Sequence, residues 1–401
     1  MTNFANTRVL MRIAILTSGV LPVPAYYGGA VENLIDYYLD YNNKLGLHDI
    51  DVYSVKPNGV RYVRQHGHVR YRYVDVTSFV ARCRRRLHKM MSDPGYYNYF
   101  IDYFLHRSLK MMEGKRYDLV LLENRPGFAL ELRHQTQAKI VLHEHFDNLN
   151  TATYRGREIC GALTAVIGVS DYICRRVEAI KSNVPTYTVH NGINSGLFAS
   201  ATPARRENFG LKDDDFVMVF TGRVSPIKGI GELVHAMTQL KSLSRIKLLV
   251  VGGSFYGGNV NGDTEFYDTL RRDAAQLGDR IVFTGFKPYE EIPSILRMAN
   301  LAVVPSTCQE AFATTVLEAM AAGVPLLCTR SGGVPEACSG VARIVEQGSG
   351  LASQLRMNIE DLYLHPEKRM SMARKGMERS KLFTREQYSA KFLATLEKIC
   401  E

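Results

Sequence analysis

Apolar, β-branched runs recur along the whole chain: VLMRIAIL, DIDVYSV, YDLVLLE, AKIVLHEH and AVIGVS in the first half, then FVMVFTGR, IKLLVVGG, RIVFTGF, LAVVPS and PLLCTR in the second. Each run is apolar almost throughout rather than alternating, and most are followed by a stretch with helical periodicity. Strands of that kind are buried on both faces, and when helices join them they form parallel sheets, so the pattern predicts an α/β fold. The rhythm breaks near NSGLFASATPARRENFGLKDDD, where Ser, Gly, Pro and charge replace it. We therefore expect a first domain over residues 1–200, a second over 201–382 and a last helix over 383–401. Thr384 and Gln387 stand in capping-box spacing ahead of that helix. Two α/β domains joined in this way leave a cleft faced by the carboxyl ends of their strands.

Composition narrows the class. The chain has 401 residues, too many for one ordinary core, and its 46% hydrophobic and 22% charged residues are globular proportions. No apolar run reaches the roughly 18 residues a membrane span needs, and MTNFANTRVLMRIAIL lacks a signal-peptide core, so a cytoplasmic location is expected. The seven cysteines are scattered and never spaced C-x-x-C, which suits reduced thiols. Charge is uneven: residues 1–200 carry 25 Lys+Arg against 17 Asp+Glu, a balance of +8 out of the chain's +10. A basic first half points to an anionic partner such as a membrane surface, a phosphorylated lipid or nucleic acid, or else to a solvated basic face.

Three stretches carry candidate chemistry. In TSGVLPVPAYYGGAVENL, the pair Gly28-Gly29 precedes a helix, where backbone N–H groups and the helix dipole can meet an anion; a plain structural turn is the competing reading. In VFTGRVSPIKGIGELVHA, Arg223 follows a strand and Lys228 precedes Gly229 and a helix, so the two cations can neutralise a diphosphate or stand exposed in a loop. In QEAFATTVLEAMAAGVP, Glu310 lies before a helix start and Glu318 eight residues on. At a rise of about 1.5 Å per residue the two carboxylates are roughly 12 Å apart, too far for the acid–base pair of a glycosidase. That distance suits two hydroxyl-bearing sugars at either end of a diphosphate: hexose at Glu310, phosphates at the helix N-terminus with Arg223 and Lys228, ribose at Glu318.

The order of the glycine loop, VIGVSDYICRRV, VHNGINSGLF, GRVSPIKG, VFTGF, VVPS, EAFATTVLEAMAAGVPLL and SGGVPE resembles glycosyltransferase family 4, the retaining enzymes of GT-B fold. The resemblance covers nearly the whole chain and is most specific in the second domain. It implies two Rossmann-like domains around a cleft and a nucleotide-diphosphate sugar held mainly by the C-terminal one. It also implies metal-independent transfer with retention and a last helix that crosses back to the first domain. Position by position, Glu310 resembles the residue that holds sugar hydroxyls, Glu318 the ribose ligand, Arg223 and Lys228 the diphosphate clamp, and Gly28-Gly29 the loop approaching the phosphates. Phe312, Ala313, Thr314 and Thr315 fall in the donor-binding turn. Ala313 stands where the family usually has glycine, and Thr315 adds a hydroxyl at a place often apolar. The loop GGSFYGGNVNGDTEFYD is longer than the family's, with Gly258, Asn259 and Asp263 as candidates to reach the cleft.

His143, in KIVLHEHFDN, matches the histidine that the family places beside the sugar, where its imidazole or carbonyl can ease positive charge at the anomeric carbon. A core histidine is one alternative. A metal site is another: His143 and His145 share a strand face, but Glu144 points the other way and no third ligand stands nearby in sequence, so no metal is expected. The acceptor, a glycan or lipid-linked glycan of cell-surface polysaccharide or lipopolysaccharide synthesis, should meet the first domain. There VARCRRRLHKMMSDPGYYNYFIDYFLHRSLKMM mixes Arg82, Arg84, Arg85, Arg86 and Lys89 with Tyr, Phe and Met, as either an anionic-membrane contact or a helix with a solvated basic face. UDP-sugars are the favoured donors. The rivals are a nucleotide-sugar epimerase, an NAD-dependent dehydrogenase, for which no G-x-G-x-x-G follows a strand, and a basic nucleic-acid-binding protein, for which no recognition motif is present.

Overall fold

The computed structural model describes residues 10–91, 103–240, 242–253 and 264–401, and these form two compact units. The first comprises residues 1–190 and 386–401, the second 191–385. The dividing lines thus fall at His190 and Arg385 rather than at 200 and 382, because the segment after His190 packs with the second unit: Ile193 N donates to Phe383 O at 2.9 Å.

The first unit is built on an eight-stranded sheet in the order β3-β4-β2-β1-β5-β6-β7-β8, parallel except for the edge pair β3 and β4. Its strands are β1 (Arg12–Leu16), β2 (Asp49–Val55), β3 (Gln65–His66), β4 (Val69–Val74), β5 (Leu119–Glu123), β6 (Lys139–Glu144), β7 (Ala165–Gly168) and β8 (Thr186–Thr188). Helix α1 (Ala30–Leu45) follows β1, and α2 (Phe79–Met91) follows β4. Apolar side chains on both sheet faces feed two separate cores, one around Leu16, Phe104 and Phe128, the other around Ile13, Tyr38 and Phe392. This double burial is the reason the strands read as nearly continuous apolar runs.

The second unit holds a six-stranded, all-parallel sheet in the order β11-β10-β9-β12-β13-β14. The strands are β9 (Phe216–Thr221), β10 (Ile246–Val251), β11 (Ile281–Gly285), β12 (Leu301–Val304), β13 (Leu326–Thr329) and β14 (Arg343–Val345). In both sheets the strand order reverses beside the first strand of the unit, between β1 and β5 and between β9 and β12. Loops leaving the carboxyl ends of strands at such a reversal diverge and leave room for a ligand. The C-terminal helix (Arg385–Cys400) belongs mostly to the first unit: Phe392 stacks on Tyr38 with ring centres 4.6 Å apart, and Lys139 Nζ donates to Ile399 O at 2.7 Å. No helix among the described residues is long and apolar enough to cross a membrane. Gly258, Asn259 and Asp263 lie outside the described residues.

Candidate active site

Lys228 and Glu310 meet where the second sheet reverses. Lys228 ends a 3-10 turn (Pro226–Lys228) in the loop after β9, and Glu310 sits in the loop after β12, the strand next to β9. Hydrogen bonds stitch the two loops together: Thr307 N donates to Ile227 O at 3.0 Å, and the Thr307 hydroxyl Oγ1 to Pro226 O at 3.2 Å. Gly229 is required at the end of the turn, since its φ is +69° and a Cβ there would stand 1.8 Å from Pro305 O. Held in this way, Lys228 Nζ lies 2.5 Å from Glu310 Oε1, which also accepts from Ser306 Oγ at 2.6 Å.

The backbone of Glu310 is fixed from the other side by the SGG loop after β13. Glu310 N donates to Ser331 Oγ at 2.8 Å, Ser331 Oγ donates to Cys308 O at 2.6 Å, and Gly333 N donates to Glu310 O at 2.8 Å. Gln347 Nε2 donates to both Ser306 O and Cys308 O, at 2.8 and 2.9 Å. The result is a half-buried ion pair on a rigid frame, one cation and one hydroxyl-binding acceptor side by side.

The helix Thr314–Ala321 begins four residues after Glu310, with Ala313 at its N-cap and no side-chain cap. Its first N–H groups have no intrahelical partner, as at every helix start. Ala313, Thr314 and Thr315 are half-buried there. Phe312 turns its ring inward against Phe383, with centres 5.7 Å apart, so it offers the site its backbone only. Glu318 is 6% exposed, and Tyr289 OH donates to its Oε1 at 3.3 Å. Burial pushes the Glu318 carboxyl up to about 7, against the small opposing effect of the tyrosine bond. Arg223 stands two residues past β9, half-buried, in the same loop as Lys228.

In the first unit the glycine loop leads into a helix with an acid in its first turn. Gly28 and Gly29 have φ of +73° and +113° and lead into α1, but the anion facing that helix start is the chain's own Glu32. A Cβ on Gly29 would stand 2.2 Å from Glu32 Oε2. Burial raises the Glu32 carboxyl to about 7, partly offset by a bond from its own backbone N–H.

His143 is 0% exposed, its ring against Phe392 with centres 4.6 Å apart and its carbonyl accepting from Asn124 N at 3.0 Å. Both imidazole and carbonyl are enclosed among the chain's own groups, and the ring Nε2 is buried without a hydrogen-bond partner. The sequence reading missed a neighbour. Glu123, which closes β5 directly opposite His143, accepts from His143 Nδ1 at 3.1 Å, from His145 Nε2 at 2.7 Å and from Tyr38 OH at 2.9 Å. Burial alone would raise this carboxyl, but the two imidazoles outweigh it and hold Glu123 well below the usual carboxylate range. Burial and the neighbouring His143 push His145 down. The three ligand-type atoms of Glu123, His143 and His145 lie within 4.8 Å of one another, so a third metal-ligating group does stand nearby, from the adjacent strand rather than from Glu144. Those atoms are already engaged with each other by hydrogen bonds. An acid closing an otherwise apolar strand, as in YDLVLLE, was the available signal for Glu123; Ser306 and Ser331 stand at the ends of VVPS and the start of SGGVPE.

Comparison with known proteins bears on the fold and the class of the chain. Residues 202–379 match the family model of glycosyl transferases group 1. The putative glycosyltransferase YtcC of Bacillus subtilis is 25% identical over 338 residues, 80% of this chain and 76% of that protein. The lipopolysaccharide 1,2-N-acetylglucosaminetransferase of Salmonella typhimurium is 34% identical over 129 residues, 32% of this chain and 34% of that protein. The crystal structure of HepE from Anabaena, solved in complex with UDP-glucose, superposes with a TM-score of 0.70 at 19% identity, covering 97% of this chain and all of that one. With two parallel α/β units and a group 1 transferase domain spanning the Lys228–Glu310 frame, the chain is a glycosyltransferase of the GT-B fold.

Proposed function

We propose that the chain moves a hexose-type sugar from a nucleotide-diphosphate sugar, a UDP-sugar first, to a glycan or lipid-linked acceptor of cell-surface polysaccharide or lipopolysaccharide synthesis. Transfer proceeds with retention at the anomeric carbon and without a metal. The observation that carries the reading is the Lys228–Glu310 pair, 2.5 Å apart on a stitched frame. Breaking a sugar–phosphate bond leaves extra negative charge on the diphosphate while the sugar hydroxyls need a fixed acceptor. Lys228, with Arg223, takes up the phosphate charge; Glu310 accepts from the sugar hydroxyls. The N–H groups at Ala313, Thr314 and Thr315 add donors to the phosphates, and Glu318 accepts from the ribose. A relative that acts on lipopolysaccharide and a neighbour solved with UDP-glucose support this choice of acceptor class and first donor.

The test is a panel of nucleotide sugars scored by the rise in melting temperature, since a ligand of the native state stabilises it by mass action. The stabilising donor is then assayed with candidate acceptors in the presence of EDTA. Lys228→Ala and Arg223→Ala should each lower turnover by about 100-fold or more with the melting temperature of the free protein unchanged. Full turnover in either purified variant overturns the clamp, activity abolished by EDTA overturns the metal-free reading, and isomerised donor without acceptor overturns transfer.

A further inference from the structure

Helix α2 turns an apolar face outward. Phe79, Cys83, Leu87 and Met90 fall on one side of it at spacings of four, four and three. All four are exposed, Phe79 at 74% and Met90 at 82%, and Val80 and Leu87 are more than half exposed. Ala81, two positions from Phe79 and so on the opposite side, is the residue that anchors the helix in the core. An amphipathic helix on a globular protein normally packs its apolar stripe inward. Here the stripe is on the outside, and a stripe of large side chains left in water calls for a partner.

The charges around the stripe identify that partner. Between Phe79 and Met91 the sequence holds Arg82, Arg84, Arg85, Arg86 and Lys89 and no acidic residue. Arg82 and Arg86 flank the stripe on one side and Arg84 on the other, and all three are exposed; the side chains of Arg85 and Lys89 lie outside the described residues. A second copy of the chain would bring cation against cation across such a face. A nucleic acid would satisfy the arginines and leave Phe79, Leu87 and Met90 against phosphate. A bilayer surface answers both features, with anionic headgroups for the arginines and the upper acyl region for the stripe.

We propose that α2 is an interfacial helix that seats the first unit on an anionic bilayer, Phe79, Leu87 and Met90 entering the acyl boundary and Arg82, Arg84 and Arg86 pairing with headgroups. The thirteen residues make a helix about 20 Å long, which lies in the plane of the surface rather than crossing it. Each basic residue near an anionic surface strengthens binding roughly fivefold, and the apolar contacts make the attachment outlast moderate salt. The proposal does not rest on the donor or on catalysis, and its test reads neither.

The chain contains no tryptophan, so Leu87→Trp introduces a single emission reporter at an exposed site. With vesicles of phosphatidylcholine containing about 30% phosphatidylglycerol, its emission should shift to the blue and be quenched by lipids brominated in the upper acyl chain. With phosphatidylcholine alone, binding should be at least tenfold weaker. Arg82→Glu, Arg84→Glu and Arg86→Glu combined should abolish sedimentation with anionic vesicles. Phe79→Ser, Leu87→Ser and Met90→Ser combined should leave binding that vanishes in about 0.3 M salt. Equal partition into both vesicle types, a blue shift that grows with protein concentration without lipid, or RNA competing fully for the site would each overturn the proposal. Unchanged melting temperatures in the variants show that the effect is on docking and not on folding.

Discussion

A carboxyl group enclosed by protein keeps its proton to higher pH, and at Glu318 this links the candidate site to stability. Its ordinary value is 4.5 and burial lifts it to about 7 in the fold. Between those values the folded protein holds a proton that the unfolded chain has lost. The stabilising contribution is therefore full below about pH 4.5 and lost as pH rises through about 7. Glu318→Gln, which stays neutral, should raise stability above the parent by on the order of 2 kcal/mol at pH 8.5, with the gap closing toward pH 5. Thermal melts across that range check it, and a gap independent of pH would remove ionisation as the cause. The same variant should weaken donor binding at pH 8.5, where the parent offers an ionised acceptor. At this scale much was legible. Lys228, Glu310 and Glu318 stand out as charges in special settings. His143 did not resolve, because the group that claims its imidazole, Glu123, lies 20 residues away in sequence.

Elements contribute by pinning loops. The SGG turn reaches Glu310 so closely that a Cβ on Gly332, whose φ is +46°, would stand 2.1 Å from Glu310 O. Gly332→Ala must therefore push the Glu310 backbone aside at a cost of about 1–3 kcal/mol. We expect turnover to fall by an order of magnitude or more while the protein still folds cooperatively; a variant that loses stability yet keeps full turnover would show that the frame does not position Glu310. The ten near-continuous apolar runs of the sequence all hold strands. Among the described residues the strands it did not announce, β3, β4, β8 and β14, are short or lie at or beside sheet edges. In β4, partly exposed Arg70 and Arg72 alternate with more buried neighbours, a weaker pattern than double-faced burial produces.

For the whole molecule, the first unit is discontinuous along the chain, since residues 386–401 at the far end complete it. Phe392 has no exposed surface and lies between Tyr38 and His143. Phe392→Ala should cost about 3–5 kcal/mol, and the loss should fall on the first unit alone. Hydrogen exchange is the direct measurement: protection should drop across residues 10–190 and stay unchanged across 191–385, whereas uniform loss in both would mean that they unfold as one. Near-continuous apolar runs determined by themselves that the chain makes buried parallel strands, and the composition of the loops marked which of them carry charge. Sheet order was decided only by tertiary structure. It made β9 and β12 neighbours, bringing Lys228 and Glu310 together across 82 residues, and it put β5 beside β6, enclosing His143 behind Glu123. The reason is physical: burial is written locally in the spacing of apolar side chains, whereas strand pairing depends on packing between segments whose separation along the chain leaves no local trace.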